Sequence, residues 1–343
     1  MGHSFQDSER FVRENGLGTS IHLNSTGQWL STTQLLYREA RRRGWVTRRL
    51  GEGVVGFFEG DKLVTTTYGL STAVVGANAE FIARSKSLTR EFLSEAGLPV
   101  PRGSVFKSGK IEDGWTFASE ISGPVVLKPS DGSKGQGVST GVTSREEFEV
   151  AWKRAANRKQ GAILVEEEVH GLDTRAFVID RKVVAAVTRI PPFVVGDGNR
   201  TVGELVDNAL EKRSKNAYLK RFGISIDQRT LRQQDIEIDS RLRRGRVVFL
   251  NGTNNVSQGG YSIDTTDLLG SELKKLAVEA VRAVPNLKIA GVDIIAKEFN
   301  RKQAYLLELN ADAAIWLHHY PSFGKSRPVA QDILDYQLLC LQS

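Results

Sequence analysis

Two carboxylates and an amide recur late in the chain at a spacing that suits a metal ion. Asp293 lies in the apolar run Gly291-Val292-Asp293-Ile294-Ile295. Glu308 and Asn310 close the run Tyr305-Leu306-Leu307-Glu308-Leu309-Asn310. Both runs read as strands. Side chains on a strand repeat every second residue, so Glu308 and Asn310 share a face. If the two strands pair, Asp293 joins them. The result is a hard, oxygen-only donor set of the kind that holds Mg²⁺ with phosphate oxygens and water completing the shell. The plain alternative is three solvated polar residues on amphipathic strands. Acidic residues are depleted in strand interiors, which favours the site.

Two further stretches have chemical potential. Val126-Leu127-Lys128-Pro129 runs into Ser130-Asp131-Gly132-Ser133-Lys134-Gly135-Gln136-Gly137. Small residues there let backbone N–H groups close on a polyphosphate, and Lys128 can add an ammonium. No Gly-Lys-Ser/Thr opens a helix, so this is neither a Walker P-loop nor a dinucleotide fingerprint. A surface hairpin is the alternative. The second stretch is Leu164-Val165-Glu166-Glu167-Glu168-Val169 followed by Gly171-Leu172-Asp173. It is either a solvated edge or a hinge whose backbone reads an adenine, with Asp173 accepting from a ribose hydroxyl.

The elements that must position these residues alternate between strand and helix. Ile21–Leu23 reads as a short strand. A helix is expected over 31–43 with Leu35, Leu36 and Ala40 as its buried stripe and arginines in its last turn. Val54–Phe58 and Lys62–Thr67 form a hairpin pattern around Glu59-Gly60-Asp61. A helix over 87–96 stops at Gly97 and Pro99. Strands are expected at 125–127, 162–165, 175–179, 183–188, 247–250, 291–296 and 304–309. Helices are expected at 144–158, where Ser144 and Glu147 form a capping box, and at 271–284. The polar stretch 196–244 is too long for a loop in a compact domain and reads as a helical insertion, with helix patterns near 202–210 and around Leu219.

The 343 residues suit two or three domains, and 40% hydrophobic with 25% charged residues excludes collagen-like, low-complexity and disordered chains. Lys and Arg number 47 against 40 Asp and Glu, a surplus of +7 that suits a protein handling anions without requiring nucleic acid. The single cysteine, Cys340, excludes an internal disulfide and a cysteine zinc site and fits a reducing compartment. It lies in an apolar C-terminal helix pattern and is expected to be core. The polar N-terminus does not look like a secretory leader, and no apolar run approaches the ~20 residues of a spanning helix. A soluble, cytoplasmic protein is expected, with no membrane partner. Neighbouring His318 and His319 point apart on a helix or a strand, so one ion cannot easily take both. Arg241 to Arg246 reads as a solvated loop in preference to a polyanion site, so nucleic acid is not an expected partner. Interface residues look like any amphipathic face, so a homo-oligomer is compatible with the sequence.

Lys86 at a helix start, Val126-Leu127-Lys128-Pro129 with its glycine loop, Glu166-x-x-Val169 with Asp173 behind it, Asp293, and Glu308-x-Asn310 stand in the order found in ATP-grasp ligases. Residues 80–343 resemble that superfamily. Within it they resemble the ATP-grasp module of cyanophycin synthetase and of bifunctional glutathione synthetases. Three stretches carry the narrower resemblance: Arg189–Gly198 with Thr201–Leu205, Asn251–Gly260, and Ile263–Asp267. The resemblance implies an α/β (α+β) ATP-grasp fold with an N-terminal α/β domain over 1–84. It also implies a small lid subdomain over 85–174 and a C-terminal subdomain over 175–343 carrying the helical insertion at about 196–244.

The resemblance also implies roles. Lys86 and Lys128 would contact the α- and β-phosphates of ATP, under a loop containing Ser130, Gly132, Ser133, Gly135 and Gly137. Glu166, Glu167 and Val169 would form the adenine hinge, Glu167 through its carbonyl and Val169 through its amide, with Asp173 on the ribose. Asp293, Glu308 and Asn310 would hold two Mg²⁺ ions, with Mn²⁺ as a substitute. Arg175, Arg189, Asn255, Ser257 and Gly259, with Lys128, would face the reacting carboxylate and its acyl phosphate. An attacking carboxylate and a triphosphate are both anions, so cationic groups are needed where their charge accumulates. No general base is evident, and none is needed if the amine enters neutral.

Two departures stand out. The family has an arginine where Asn251 stands, with Arg244 or Arg246 as its nearest replacements. The run after Asn310 reads Ala311-Asp312-Ala313-Ala314-Ile315-Trp316 instead of a small Ala/Pro/Gly run. No residues are left for the further ligase domain of cyanophycin synthetase, so cyanophycin itself is not the expected product. The expected activity is ATP-dependent ligation of a small-molecule carboxylate to the amine of an amino acid or short peptide. The rivals are an ATP-grasp kinase and a nucleotide- or nucleic-acid-binding protein without turnover.

Overall fold

The computed structural model describes residues 3–69, 71–130, 136–156, 161–300 and 304–342. The chain opens with α1 (His3–Glu14) and then a turn, not the strand expected at Ile21–Leu23. Gly16 and Gly18 both adopt positive φ, and the Gly18 and Ile21 amides bond back across the turn, leaving only an isolated Leu17–Ile21 bridge. Helix α2 (Thr32–Arg42) starts at Ser31, whose hydroxyl and backbone exchange bonds with Gln34 in a capping box. Leu35, Leu36 and Ala40 are buried as expected. Strands β1 (Val46–Gly51), β2 (Val54–Glu59), β3 (Lys62–Tyr68) and β4 (Ser71–Thr72) form an antiparallel meander. β1 escapes a hydrophobic pattern search because it is a mostly exposed edge strand carrying Arg48 and Arg49. Helices α3 (Ala77–Arg84) and α4 (Lys86–Glu95) follow, the second capped by the Ser85 hydroxyl.

The next unit comprises β5 (Gly103–Lys107), α5 (Ile111–Ser119), β6 (Val125–Pro129), β7 (Ser139–Val142), α6 (Arg145–Ala156) and β8 (Ala162–Glu167). Its sheet has the order β5-β8-β6-β7 with every pairing antiparallel. Ser144 and Glu147 exchange their capping bonds at the start of α6. Phe148 and Trp152 on that helix pack with Leu127, Ile163 and Val165 from the sheet.

The remaining chain contains β9 (Leu172–Ile179), β10 (Lys182–Ile190), β11 (Phe193–Val195), α7 (Val202–Ser214), α8 (Gln228–Arg232), β12 (Val247–Phe249) and β13 (Tyr261–Asp264). It ends with α9 (Ser271–Ala283), β14 (Ile289–Ala296), β15 (Ala304–Asn310), α10 (Trp316–His319) and α11 (Val329–Gln342). The central sheet has the order β13-β10-β9-β14-β15. Helix α9 lays Leu273, Ala277, Ala280 and Val281 on it. Residues 196–244 do form a helical insertion, with an apolar cluster of its own that includes Val202, Leu205, Leu231 and Leu242. Cys340 is exposed, not core, because α11 turns that residue outward. Among the described residues no helix is long and apolar enough to cross a membrane.

Phe148 is fully buried between Trp115 and Trp152, with ring centroids at 5.3 and 5.5 Å. Phe148→Ala should cost about 3–5 kcal/mol through lost burial and the cavity left behind. Urea unfolding followed by tryptophan fluorescence measures this. A loss below about 1 kcal/mol would mean that α6 does not hold this unit together.

Candidate active site

Strand β14 is paired on both sides, which makes it the natural floor for a buried charge. Asp293 stands opposite Arg175 of β9 and Glu308 of β15, and Asn310 stands opposite Gly291. Arg189 of β10 stands opposite Asp173 of β9. Directly paired and alternate residues share a sheet face, so four neighbouring strands bring six candidate side chains together.

The side chains alternate in sign. Arg175 grips Asp293 with two bonds, Nε to Oδ1 at 2.6 Å and Nη2 to Oδ2 at 2.7 Å. Arg189 Nη2 donates to Asp293 Oδ2 at 2.9 Å and to Asp173 Oδ1 at 2.5 Å. Glu308 lies 3.8 Å from Arg175 Nη2 and 3.5 Å from Lys86 Nζ, and accepts from Asn310 Nδ2 at 3.2 Å. Asp173 Oδ2 also accepts from Asn254 Nδ2 at 3.2 Å.

Burial alone would raise the Asp293 carboxyl, but Arg175 and Arg189 outweigh it and hold the group below the usual carboxylate range. Burial would likewise lower Arg189, yet Asp173 and Asp293 push it up. The charges on Asp293 and Arg189 are therefore fixed at neutral pH.

A second charged group sits where β6 meets β8. Lys128 Nζ bonds Glu166 Oε1 at 2.5 Å, and Arg90 Nη1 lies 3.5 Å from Glu166 Oε2. Burial lowers the Arg90 guanidinium, opposed by Glu166 and Glu167. The Glu167 side chain accepts from the Arg102 amide at 2.7 Å and so ties the approach to β5 to the end of β8. Val169 follows in the half-buried connection to β9.

Ser130 is buried and its amide bonds the Ala162 carbonyl at 3.0 Å. Gly132, Ser133 and Gly135 lie outside the described residues. Gly137 has φ +78°, and a Cβ there would meet Pro129 Cγ at 2.9 Å. The returning chain is thus folded closely onto the strand end that carries Lys128.

The loop 251–260 is held by bonds of its own. Asn255 Oδ1 accepts from the Ser257 amide and hydroxyl at 3.0 and 2.9 Å, capping a 3-10 turn. Gly259 has φ +103°, and its carbonyl accepts from buried Arg213 of α7 at 2.9 Å. These three residues shape the loop from within, and it is Asn254 that reaches the acidic cluster. Asn251, where the resemblance leads one to expect an arginine, is buried and donates to the carbonyls of Ser225 and Gln258. Arg246 instead bonds the Gln234 carbonyl at 2.8 Å.

Sequence reasoning missed Arg90 and Asn254. Arg90 had a signal, since it lies four residues after Lys86 on one helix and so on the same face. Asn254 had only its place beside Asn255 in a recognised stretch.

Among the described residues no three His, Cys, Asp or Glu side chains form a metal cluster, so a metal would draw its third donor from the Asn310 amide. Two carboxylates and one amide oxygen on adjacent paired strands fit Mg²⁺ in donor chemistry. Neither His318 nor His319 joins a metal-ligating group among the described residues. His319 Nε2 accepts from the Ala330 amide at 3.1 Å. His318 is fully buried and edge-on to Phe177, with neither nitrogen partnered among the described residues.

The fold is the ATP-grasp fold, and the chain is similar to proteins of that superfamily. Residues 85–175 match the family described as "Carbamoyl-phosphate synthase L chain, ATP binding domain". The chain is 33% identical over 312 residues to a cyanophycin synthetase of Geminocystis herdmanii, covering 87% of this chain and 35% of the relative. It is 33% identical over 266 residues to the glutathione biosynthesis bifunctional protein GshAB of Enterococcus faecalis, covering 74% of this chain and 35% of the relative. In structure it resembles a bifunctional glutathione synthetase from Pasteurella multocida, with TM-score 0.66 and 26% identity over 90% of this chain and 44% of the other. The chain thus spans about a third of the length of the curated relatives it matches.

Burial pushes His318 down to about 3, with repulsion from Arg175, His319 and Arg189 adding to it. Above pH 6.5 the imidazole is neutral both folded and unfolded. As pH falls below 6.5 only the unfolded state takes the proton, so stability falls until pH reaches about 3. At pH 5 this amounts to about 2 kcal/mol. His319, which burial pushes down to about 4, adds a loss of its own over the same range. Urea unfolding at pH 7.5 and 5.0 should therefore show a loss in the wild type that is smaller by about 2 kcal/mol in His318→Gln. Equal losses in both proteins would contradict it.

Proposed function

We propose that the protein is an ATP-dependent carboxylate–amine ligase acting on a small-molecule carboxylate and the amine of an amino acid or short peptide. The observation that carries this is the chain of alternating charges Glu308–Arg175–Asp293–Arg189–Asp173 on one sheet face, joined by Lys86 from the start of α4. It supplies oxygen donors for a metal and cations for phosphates within one cluster. The named relatives support the same class of chemistry.

In this reading Asp293, Glu308 and Asn310 hold Mg²⁺, and Mn²⁺ can replace it. The metal supplies charge neutralisation on the phosphate oxygens. Glu166, Glu167 and Val169 frame the adenine. Asp173 meets the ribose with the lone pairs left by Arg189 and Asn254. Lys86 and Lys128 leave Glu308 and Glu166 for the phosphates. Ser130 and Gly137 anchor the two ends of the phosphate-covering loop, which runs through Gly132, Ser133 and Gly135.

A carboxylate oxygen of the donor attacks the γ-phosphorus and the bond to ADP breaks. The amine nitrogen then attacks the acyl carbon, phosphate leaves, and the nitrogen loses a proton. Arg175 and Arg189 supply fixed positive charge where the acyl phosphate forms, in a buried setting where such charge acts strongly. Asn255, Ser257 and Gly259 hold the shape of the loop that borders this point.

The test is incubation with ATP, Mg²⁺ and pooled amino acids and short peptides, with ADP release followed and condensed products sought by mass. The wild type should release ADP together with a product lighter by one water than the sum of its two substrates. Glu308→Gln should lower ADP release by at least about 10²-fold, the scale seen when a group stabilising transition-state charge is lost, with an unchanged urea midpoint. Full activity in that variant removes the metal assignment. A phosphorylated product with no amide, whatever amine is supplied, makes the protein a kinase.

A further inference from the structure

A cavity of about 430 Å³ lies away from the charge cluster, between the N-terminal turn and the helical insertion. We propose that it is a second binding site, for a small carboxylate with an aromatic or branched apolar body. Its size falls in the range of small-molecule pockets, ~300–1,000 Å³.

The floor is apolar and rigid. Phe193, Tyr261 and Phe323 line it, with ring centroids 5.4 to 6.5 Å apart. Each ring holds the other two in place, so an apolar group can enter without repacking. The rim is cationic, with Arg200, Lys212 and Arg244 facing the cavity and one carboxylate, Asp197, among them.

Asp197 does not neutralise that rim. Its oxygens already accept from the Asn199 and Arg200 amides at 2.9 Å each and from Arg200 Nε at 2.7 Å. The backbone bonds, followed by the Arg200 side chain, hold its pKa well below the usual range. Lys212 and Arg244 form no ion pair among the described residues, and their side chains are exposed. Asn208 on α7 adds an amide at the same rim. A carboxylate is the ligand group that answers two unpaired cations and an amide, and a ring or branched chain answers the floor.

The far wall is shared with the loop 251–260. Tyr261 follows that loop directly, and buried Arg213 lies over its ring at 5.0 Å while bonding the Gly259 carbonyl. An occupant resting on Tyr261 therefore touches the ring whose other neighbours hold the loop. The site and the ligase reading stand independently, because none of the residues assigned to ATP, metal or acyl phosphate lines this cavity.

Calorimetric titration of the full chain with N-acetyl-L-phenylalanine tests the site, with N-acetyl-L-phenylalaninamide as the twin that lacks the carboxylate. The acid should bind at one site per chain and the amide at least about tenfold more weakly, as expected for losing a charge-assisted bond. Lys212→Glu with Arg244→Glu should weaken the acid at least tenfold, and Ala209→Trp, which fills the cavity, should abolish binding. Each variant should keep the wild-type urea midpoint. No binding of the acid at millimolar concentration, equal binding of acid and amide, or binding indifferent to these variants would each overturn the proposal.

Discussion

The bidentate grip of Arg175 on Asp293 is the contact on which the rest of the site depends. Both side chains are nearly buried, at 11% and 4% exposure. A lone carboxylate at that depth would be protonated, and a lone guanidinium would cost several kcal/mol to bury. Neither residue is tolerable without the other. The pairing is possible only because β14 lies between β9 and β15, which sets Asp293 opposite Arg175 on one side and Glu308 on the other. Gly291 belongs to the same arrangement, since a Cβ there would meet Ala313 Cβ at 2.7 Å and Arg175 Cδ at 3.2 Å. Removing its side chain lets the chain after Asn310 close over the sheet while Arg175 stays extended beside it.

That pairing has a consequence for ligand binding. Each cation assigned to a phosphate or acyl phosphate is within salt-bridge distance of a carboxylate: Lys86 of Glu308, Lys128 of Glu166, Arg175 of Asp293, and Arg189 of both Asp173 and Asp293. An anion alone must compete with these carboxylates for the cations. A divalent cation alone must compete with the arginines for Asp293. A metal–nucleotide complex answers both halves together, because it offers positive charge to the carboxylates and negative charge to the lysines. The charge balance of the cluster is then nearly conserved on binding. This favours the complex over either component without any hinge motion being needed to explain it.

Much of this arrangement was legible in the sequence, and the reason is periodicity. Glu308 and Asn310 had to share a face because they are two apart on a strand, and Asp293 joined them once β14 and β15 paired. The capping box at Ser144 fixed the start of α6 for the same local reason. What was missed carries no hydrophobic period. The strand expected at Ile21–Leu23 lost to two glycine-assisted reversals whose hydrogen bonds close within six residues. Edge strand β1 was invisible because its side chains are exposed on both faces. Asn255 and Ser257 read as substrate-facing polar groups, and the structure adds that they bond each other in a 3-10 turn. Nothing in their spacing distinguishes a cap from a ligand contact.

The loop 251–260 shows why an apparent loss of function in a motif can be a change of structural device. An arginine at position 251 would have to place a guanidinium in a buried pocket that now holds an amide. Asn251 spends both donor and acceptor capacity locally, on the Ser225 and Gln258 carbonyls and on the Thr253 amide. It thereby ties the insertion to both ends of the loop. The cation that reaches this loop comes from elsewhere in the insertion: Arg213, fully buried, bonds Gly259 and stacks over Tyr261. A buried guanidinium with two nitrogens unpartnered among the described residues is costly. Its retention is best explained by the loop conformation it enforces. That conformation puts Asn254 on Asp173. In the ligase reading proposed above, the positive charge at the acyl phosphate then comes from Arg175 and Arg189 on the sheet itself, which is more rigid than a loop arginine would be.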